Sequence, residues 1–274
     1  MRWIPDWILY LLALGVVLWV LFSGPDHDAP PPPPEAIRAE GAMLPPASIL
    51  DDRIIVQVNS PKDGVGTAFA INQSGQWLTA RHVVDGCTSV ALLVGQNAYS
   101  PAREVTISEV SDLALLETNI DTYPVKLDTG TDLRIGAPGF HIGYPQGRPG
   151  EVASRLMARS KLISRGERVG TEGVLAWAET GRTRGLYGSL AGLSGAPVFD
   201  RDGIVRGIVV AESPRRGRIY TAAPETISAF VDATGVVLSG EASQDFSPES
   251  YGTQADYARR NLQVVKIACD VAGR

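Results

Sequence analysis

From residue 50 to about residue 222 the apolar residues fall in short runs, each cut off by Gly, Pro, Asn, Asp or Ser. This punctuation most restricts what the chain can fold into. Such runs suit strands and are too short for buried helices. Arg53 to Val58 is one, closed by Asn59-Ser60-Pro61, and Gly64 to Ile71 is another, closed by Asn72-Gln73-Ser74-Gly75. Thr88 to Val94, Val105 to Ile107, Leu113 to Glu117, Phe140 to Tyr144, Gly173 to Ala178, Gly203 to Val210 and Ile219 to Ala222 follow the same form. Helical signals in this span are limited to a short turn around His82, and a turn of helix is expected just beyond it at Pro224 to Val231. With 29 glycines and 19 prolines available for turns, the reading is all-β, arranged as two small antiparallel barrels.

Within that frame the segment Gly192-Leu193-Ser194-Gly195-Ala196-Pro197 leads into two apolar runs joined by Asp200-Arg201-Asp202-Gly203. Ser194 therefore sits on a tight loop backed by a hairpin. Glycines on both sides let backbone N–H groups converge near its hydroxyl, where acyl transfer develops negative charge. A serine hydroxyl also needs a base, and the base works best when a carboxylate holds its second ring nitrogen. Thr79-Ala80-Arg81-His82-Val83-Val84 supplies a histidine, and Ser111-Asp112-Leu113-Ala114-Leu115-Leu116 supplies an acid at the mouth of an apolar stretch. Asp85 lies too near His82 along the same turn to serve and reads as a local cap or surface charge; His141, in an alternating strand, reads as a surface or supporting side chain.

These three segments, in the order His, Asp, Ser, resemble the catalytic motifs of chymotrypsin-like serine peptidases, in particular the bacterial trypsin-like and HtrA-type branch. Gly66-Thr67 ahead of the histidine and Gly143-Tyr144-Pro145 strengthen the resemblance, which covers roughly residues 50 to 232. It implies two six-stranded barrels, about 50–130 and 135–222, with His82, Asp112 and Ser194 in the cleft between them. It further implies an oxyanion hole from the N–H groups of Gly192 and Ser194, and a primary pocket with Gly188 and Ser189 at its floor. Val210, Ala211, Glu212 and Arg218 would form the walls, and Glu212 could pair with Arg218 across the rim. No carboxylate stands at the floor position, so the expected side chain is small or medium and apolar. Leu193, Ala196 and Val210 depart from the family pattern, and they motivate an alternative in which the fold is a catalytically weak or latent binding or scaffold module.

The remaining segments set the context. Trp7 to Phe22 is an apolar run that Trp3 and Ile4 extend toward the thickness of a bilayer. It reads as a transmembrane anchor, with a cleaved signal peptide as the rival. Arg2 on one flank and Asp26, Asp28 and Glu35 on the other place the N-terminus in the cytoplasm of a bacterial inner membrane and the catalytic part outside, in the periplasm. Residues 23–48, with the proline run Pro30 to Pro34, read as a stiff linker. The peptidase domain spans 49–232 and a C-terminal extension spans 233–274, too short for the PDZ module of many HtrA proteins. In that extension Tyr257, Ala258, Leu262, Val265, Ala268 and Cys269 recur at helical spacing, so a helix packed on the second barrel is expected. A net charge of -5 argues against nucleic acid. Expected partners are a protein or peptide substrate and the lipid bilayer, with a homo-oligomer or membrane partner left open. Three scattered histidines and two cysteines give no compact ligand set, so neither a metal nor a cofactor is expected. Cys87 and Cys269, both on the presumed extracytoplasmic side, are expected to form a disulfide.

Overall fold

The computed structural model describes residues 7, 8, 10–12, 28–33, 39–95, 98–130 and 132–271. Most of the apolar run from Trp7 to Phe22 lies outside the described residues, and no helix among the described residues is long and apolar enough to cross a membrane.

Two sheets of seven strands make up the body. The first contains β2 (Gly64–Ala70), β3 (Gln76–Ala80), β4 (Ser89–Gly95), β5 (Ala98–Pro101), β6 (Glu104–Ile107), β7 (Leu113–Glu117) and β14 (Val264–Asp270). Its order is β5-β4-β14-β2-β3-β7-β6. The second contains β1 (Asp52–Val58), β8 (Pro138–Gly143), β9 (Gly150–Gly166), β10 (Gly170–Arg182), β11 (Pro197–Phe199), β12 (Val205–Ser213) and β13 (Arg218–Ala222). Here β8 pairs with both β11 and β9, so six antiparallel strands close on themselves as a barrel. The seventh, β1, adds in parallel to the far half of β9, from Asp52 opposite Ser160 to Val58 opposite Gly166.

The two ends of the chain are thus exchanged between the sheets. The sequence places β1 at the start of the first barrel, yet it extends the sheet of the second. The C-terminal extension also differs from expectation. A helix runs only over Tyr251–Arg260, and Leu262 then takes a left-handed φ of 54° that turns the chain. Residues 264 to 270 form a strand between β2 and β4, in the middle of the first sheet. The helical spacing of Val265, Ala268 and Cys269 loses to β-branched Val264, Val265 and Ile267 and to two neighbours that accept ladder hydrogen bonds on both edges. Cys269 is consequently a strand residue. It is bonded to Cys87, with Cα atoms 5.6 Å apart, and ties β14 to the segment that follows the His82 turn.

One apolar core runs through both sheets, joining Phe69, Leu78 and Leu113 to Phe140, Phe199 and Ile208. Phe246 from the extension stacks between Phe140 and Phe199, with ring centroids 5.5 and 5.0 Å away. The C-terminal helix is held by a buried ion pair, Arg259 Nη2 to Glu151 Oε2 at 2.9 Å, with both side chains fully excluded from solvent. The helix expected near Pro224 spans Pro224–Thr234 and ends on Gly235.

Candidate active site

His82 stands on a single helical turn, Arg81–Val84, at the end of β3. Because β3 and β7 pair with Ala80 opposite Leu113, the residues just beyond each, His82 and Asp112, come together at one end of the pair. Arg81 N–H donates to the Asp112 carbonyl at 3.1 Å. The Asp112 carboxylate then grips His82 twice. Its Oδ1 accepts from the His82 backbone N–H at 2.9 Å, and its Oδ2 lies 2.6 Å from Nδ1. A carboxylate that close requires the proton on Nδ1, which leaves Nε2 with its lone pair free to act as a base. Burial alone would push the ring down, but the charge and hydrogen bond of Asp112, and then the charge of Glu172, outweigh it and the His82 pKa is raised. The ring is 38% exposed, which lightens the burial cost.

Ser194 is brought to this end by Gly195. A Cβ on Gly195, which has φ 83°, would stand 2.1 Å from the Thr67 carbonyl oxygen and 2.9 Å from the Ala80 nitrogen, so only glycine lets the loop lie against the β3 end. Thr67 N–H donates to the Ser194 carbonyl at 2.9 Å, and the Thr67 hydroxyl donates to the Gly192 carbonyl at 2.8 Å. Ala191 O accepts from Gln146 N–H, and Leu193 N–H donates to Leu190 O. With these groups engaged, the N–H groups of Gly192 and Ser194 have no partner among the described residues. No hydrogen bond joins the Ser194 hydroxyl to the His82 ring among the described residues. Leu193 is buried and packs toward Gly143, away from these N–H groups.

Residues 66–208 match the trypsin-like peptidase domain. The chain belongs to that family. Its relatives include the probable periplasmic serine endoprotease DegP-like of Hahella chejuensis, 27% identical over 144 residues, which are 52% of this chain and 29% of that protein. The protein of the same name from Bartonella henselae is 28% identical over 165 residues, 56% of this chain and 29% of its own length. The chain spans about three-tenths of the length of these curated relatives. Among solved structures, the Rv3671c protease of M. tuberculosis in its active form superposes with a TM-score of 0.52 at 17% identity, covering 76% of this chain and 98% of that one. Its inactive form gives 0.51 at 21%, covering 62% and 84%. These structures share the chymotrypsin-like fold of two β-sheets and few helices.

In this trypsin-like peptidase domain one pairing among the residues expected to line the primary pocket differs from expectation. Glu212 does not reach Arg218. In the β12–β13 ladder Glu212 stands opposite Ile219 and Arg218 opposite Ser213, and neighbours along a strand face opposite sides. Arg218 donates instead to the carbonyls of Arg216 and Gly217. Glu212 bridges to the other side, accepting from the Ser189 hydroxyl at 2.5 Å and from Leu190 N–H at 2.8 Å. The Gly188 carbonyl accepts from Arg182. Val210 is buried and Ala211 partly exposed on the same strand. Asp85 pairs with Arg81 at 2.7 Å. His141 is not a surface group: it is fully buried, its Nε2 lies 2.7 Å from Ser154 Oγ, and burial pushes it down to about 3, so it stays neutral.

Two residues that the sequence reading passed over also belong to this region. Gln146 has a left-handed φ of 55° at the turn Pro145–Gly147, and its side-chain amide donates to the carbonyls of Tyr187 and Ser189. Nothing in its local sequence distinguishes it. Glu172 accepts the Asp112 N–H on both carboxylate oxygens, at 3.1 and 3.0 Å. Its signal was the period of its strand. Glu172 shares a face with the core residues Val174 and Ala176 and so points inward.

Proposed function

We propose that the chain is a membrane-tethered serine endopeptidase that works through His82, Asp112 and Ser194. The observation that carries this reading is the double grip of Asp112 on His82, which fixes the ring with a basic Nε2. As substrate binds, the Ser194 hydroxyl comes into reach of Nε2 and attacks the scissile carbonyl carbon as its proton passes to that nitrogen. The oxyanion then accepts from the Gly192 and Ser194 N–H groups. Collapse expels the amine, which takes the proton from His82, and leaves an acyl group on Ser194. Water, deprotonated by the same nitrogen, releases it. Asp112 stabilises the imidazolium formed in each half of the cycle.

The bilayer anchor over residues 1–22, the linker over 23–48 and an extracytoplasmic catalytic part complete the proposal. The apolar run, its flanking charges and the relatives' description as periplasmic support it. A latent site is the second reading, favoured by the missing hydrogen bond between Ser194 and His82. Labelling of the full-length chain with a fluorophosphonate separates the two. The endopeptidase takes the label at Ser194 and hydrolyses casein, and Ser194→Ala loses both; an unlabelled, folded protein overturns the proposal. A reporter fused after residue 48 is expected outside the cytoplasm and attached to membrane. Its recovery as soluble periplasmic protein with a new N-terminus would instead establish a cleaved signal.

A further inference from the structure

We infer that Glu172 is a positioning residue of this site, holding Asp112 from the opposite barrel and setting a second negative charge behind the His82–Asp112 pair. The inference rests on the reading of His82, Asp112 and Ser194 as a peptidase triad.

Asp112 needs a fixed backbone for its carboxylate to hold the ring in one orientation. Its carbonyl is tied to Arg81 N–H within the first sheet. Its N–H is tied to Glu172 on β10, which belongs to the second. A single carboxylate receiving that N–H on both oxygens is therefore the hold that the second barrel has on the orienting acid. Val210 is apolar and offers Asp112 no side-chain hydrogen bond; Glu172 reaches it from another strand.

Glu172 is only 9% exposed, in a place where an ionised side chain is costly unless it is hydrogen-bonded or paired. The groups facing it are Asp112 before β7, His82 on its helical turn and Arg168 between β9 and β10. Burial pushes its carboxyl up to about 7. The Asp112 N–H opposes that rise, the Asp112 carboxylate adds to it, and Arg168 and His82 oppose it. Glu172 and His82 therefore interact, each through the charge of the other. The ionised Glu172 favours the imidazolium, and protonating either group makes protonation of the other harder. Two such groups titrate in spread macroscopic steps rather than as one simple proton.

The coupling can be read without any turnover. In the full-length chain carrying Ser194→Ala, the His82 ring resonance, assigned by its loss in His82→Gln, is followed by NMR against pH. The parent should titrate broadly, and Glu172→Gln, which keeps a hydrogen-bond acceptor but no charge, should titrate as one proton with its midpoint at lower pH. Glu172→Asp should move the midpoint back toward the parent. An unchanged midpoint and breadth in a folded Glu172→Gln protein overturns the inference. Should that variant not fold, carboxyl carbon resonances of the parent decide. One glutamate must titrate near neutral pH, with an inflection shared by His82, and a full set of glutamates titrating in the ordinary acidic range overturns the inference. If the Ser194 enzyme hydrolyses peptides, the acid limb of kcat/KM should move to lower pH in Glu172→Gln. Absence of hydrolysis with the coupling intact would sink the peptidase reading and leave the Glu172 contact standing.

Discussion

The backbone N–H of Gln146 donates to the carbonyl of Ala191, and this bond decides which way the Gly192 N–H faces. In a trans peptide the C=O and the following N–H point in opposite directions. With Ala191 O turned to Gln146, the Gly192 N–H is turned away from that loop and left open beside the Ser194 N–H. The Gln146 side chain braces the same loop at Tyr187 and Ser189.

Gln146→Ala keeps the backbone bond and removes the braces, so kcat should fall severalfold with little change in KM. Gln146→Pro removes the N–H itself and forbids the observed positive φ. Its loss should approach the roughly 10²- to 10³-fold seen when one oxyanion donor is deleted. Steady-state kinetics on a peptide ester, with fluorophosphonate labelling rates in parallel, measure both. An unchanged kcat in Gln146→Pro would separate the Ala191 peptide from the oxyanion hole.

Glu212 crosses from β12 to Ser189 and Leu190, joining an expected wall of the primary pocket to its expected floor. If these residues line the primary pocket, the bridge narrows it, so the expected preference next to the scissile bond is for a small side chain. Glu212→Ala should open the slot and raise kcat/KM for Leu or Phe at that position relative to Ala by about tenfold, since each methylene accommodated is worth about 1–3 kcal/mol. A peptide library varied at that single position reads the change. A parent enzyme that already prefers large side chains would refute the narrowing.

The strongest signals in the sequence came from loops whose chemistry needs particular neighbours. Thr79 to His82, Ser111 to Leu115 and Gly192 to Pro197 each end or begin a short apolar run, so strand pattern and motif agreed and the double-sheet fold followed. Strand β9 was not legible, because Glu151, Arg155 and Arg159 interrupt its apolar pattern and are nonetheless buried. Their charges are met by partners far along the chain, such as Arg259 for Glu151 and Glu225 for Arg159. The placement of β1 was hidden for a related reason, and β14 was hidden behind the helical spacing of Val265, Ala268 and Cys269. A strand's own residues specify its faces but not which edge it will join. Glu172 was readable only from the period of β10, and its meaning depends on Asp112 arriving from the other sheet.

The disulfide closes a covalent loop between residues 182 apart. Replacing both Cys87 and Cys269 by serine frees β14 from the segment after the His82 turn. The chain-entropy model sets the loss at up to about 5 kcal/mol, and measured bridges often give less. A drop in Tm on the order of 10 °C is expected for a domain of this size. Reduction of the parent by dithiothreitol should reproduce it, and a Tm insensitive to reductant would show that apolar packing of β14 suffices.

Arg259 and Glu151 are a fully buried pair, and removing one partner should cost more than removing both. In Arg259→Met the Glu151 carboxylate keeps its Thr183 hydrogen bond but loses its neutralising charge, for a loss of about 3–5 kcal/mol near neutral pH. Burial already raises Glu151, with Arg259 opposing it. Without Arg259 the folded-state pKa climbs further above the unfolded value. A carboxyl raised in the folded state costs stability at pH above its folded value and costs none once pH falls below its unfolded value. The deficit of Arg259→Met should therefore be largest at neutral pH and shrink on acidification toward the ordinary glutamate range. Adding Glu151→Gln should recover part of it at neutral pH, because the buried charge is then gone altogether. Urea melts of the parent, the single variant and the double variant at several pH values test this, and a deficit that does not vary with pH would mean that Arg259 acts by packing rather than by charge.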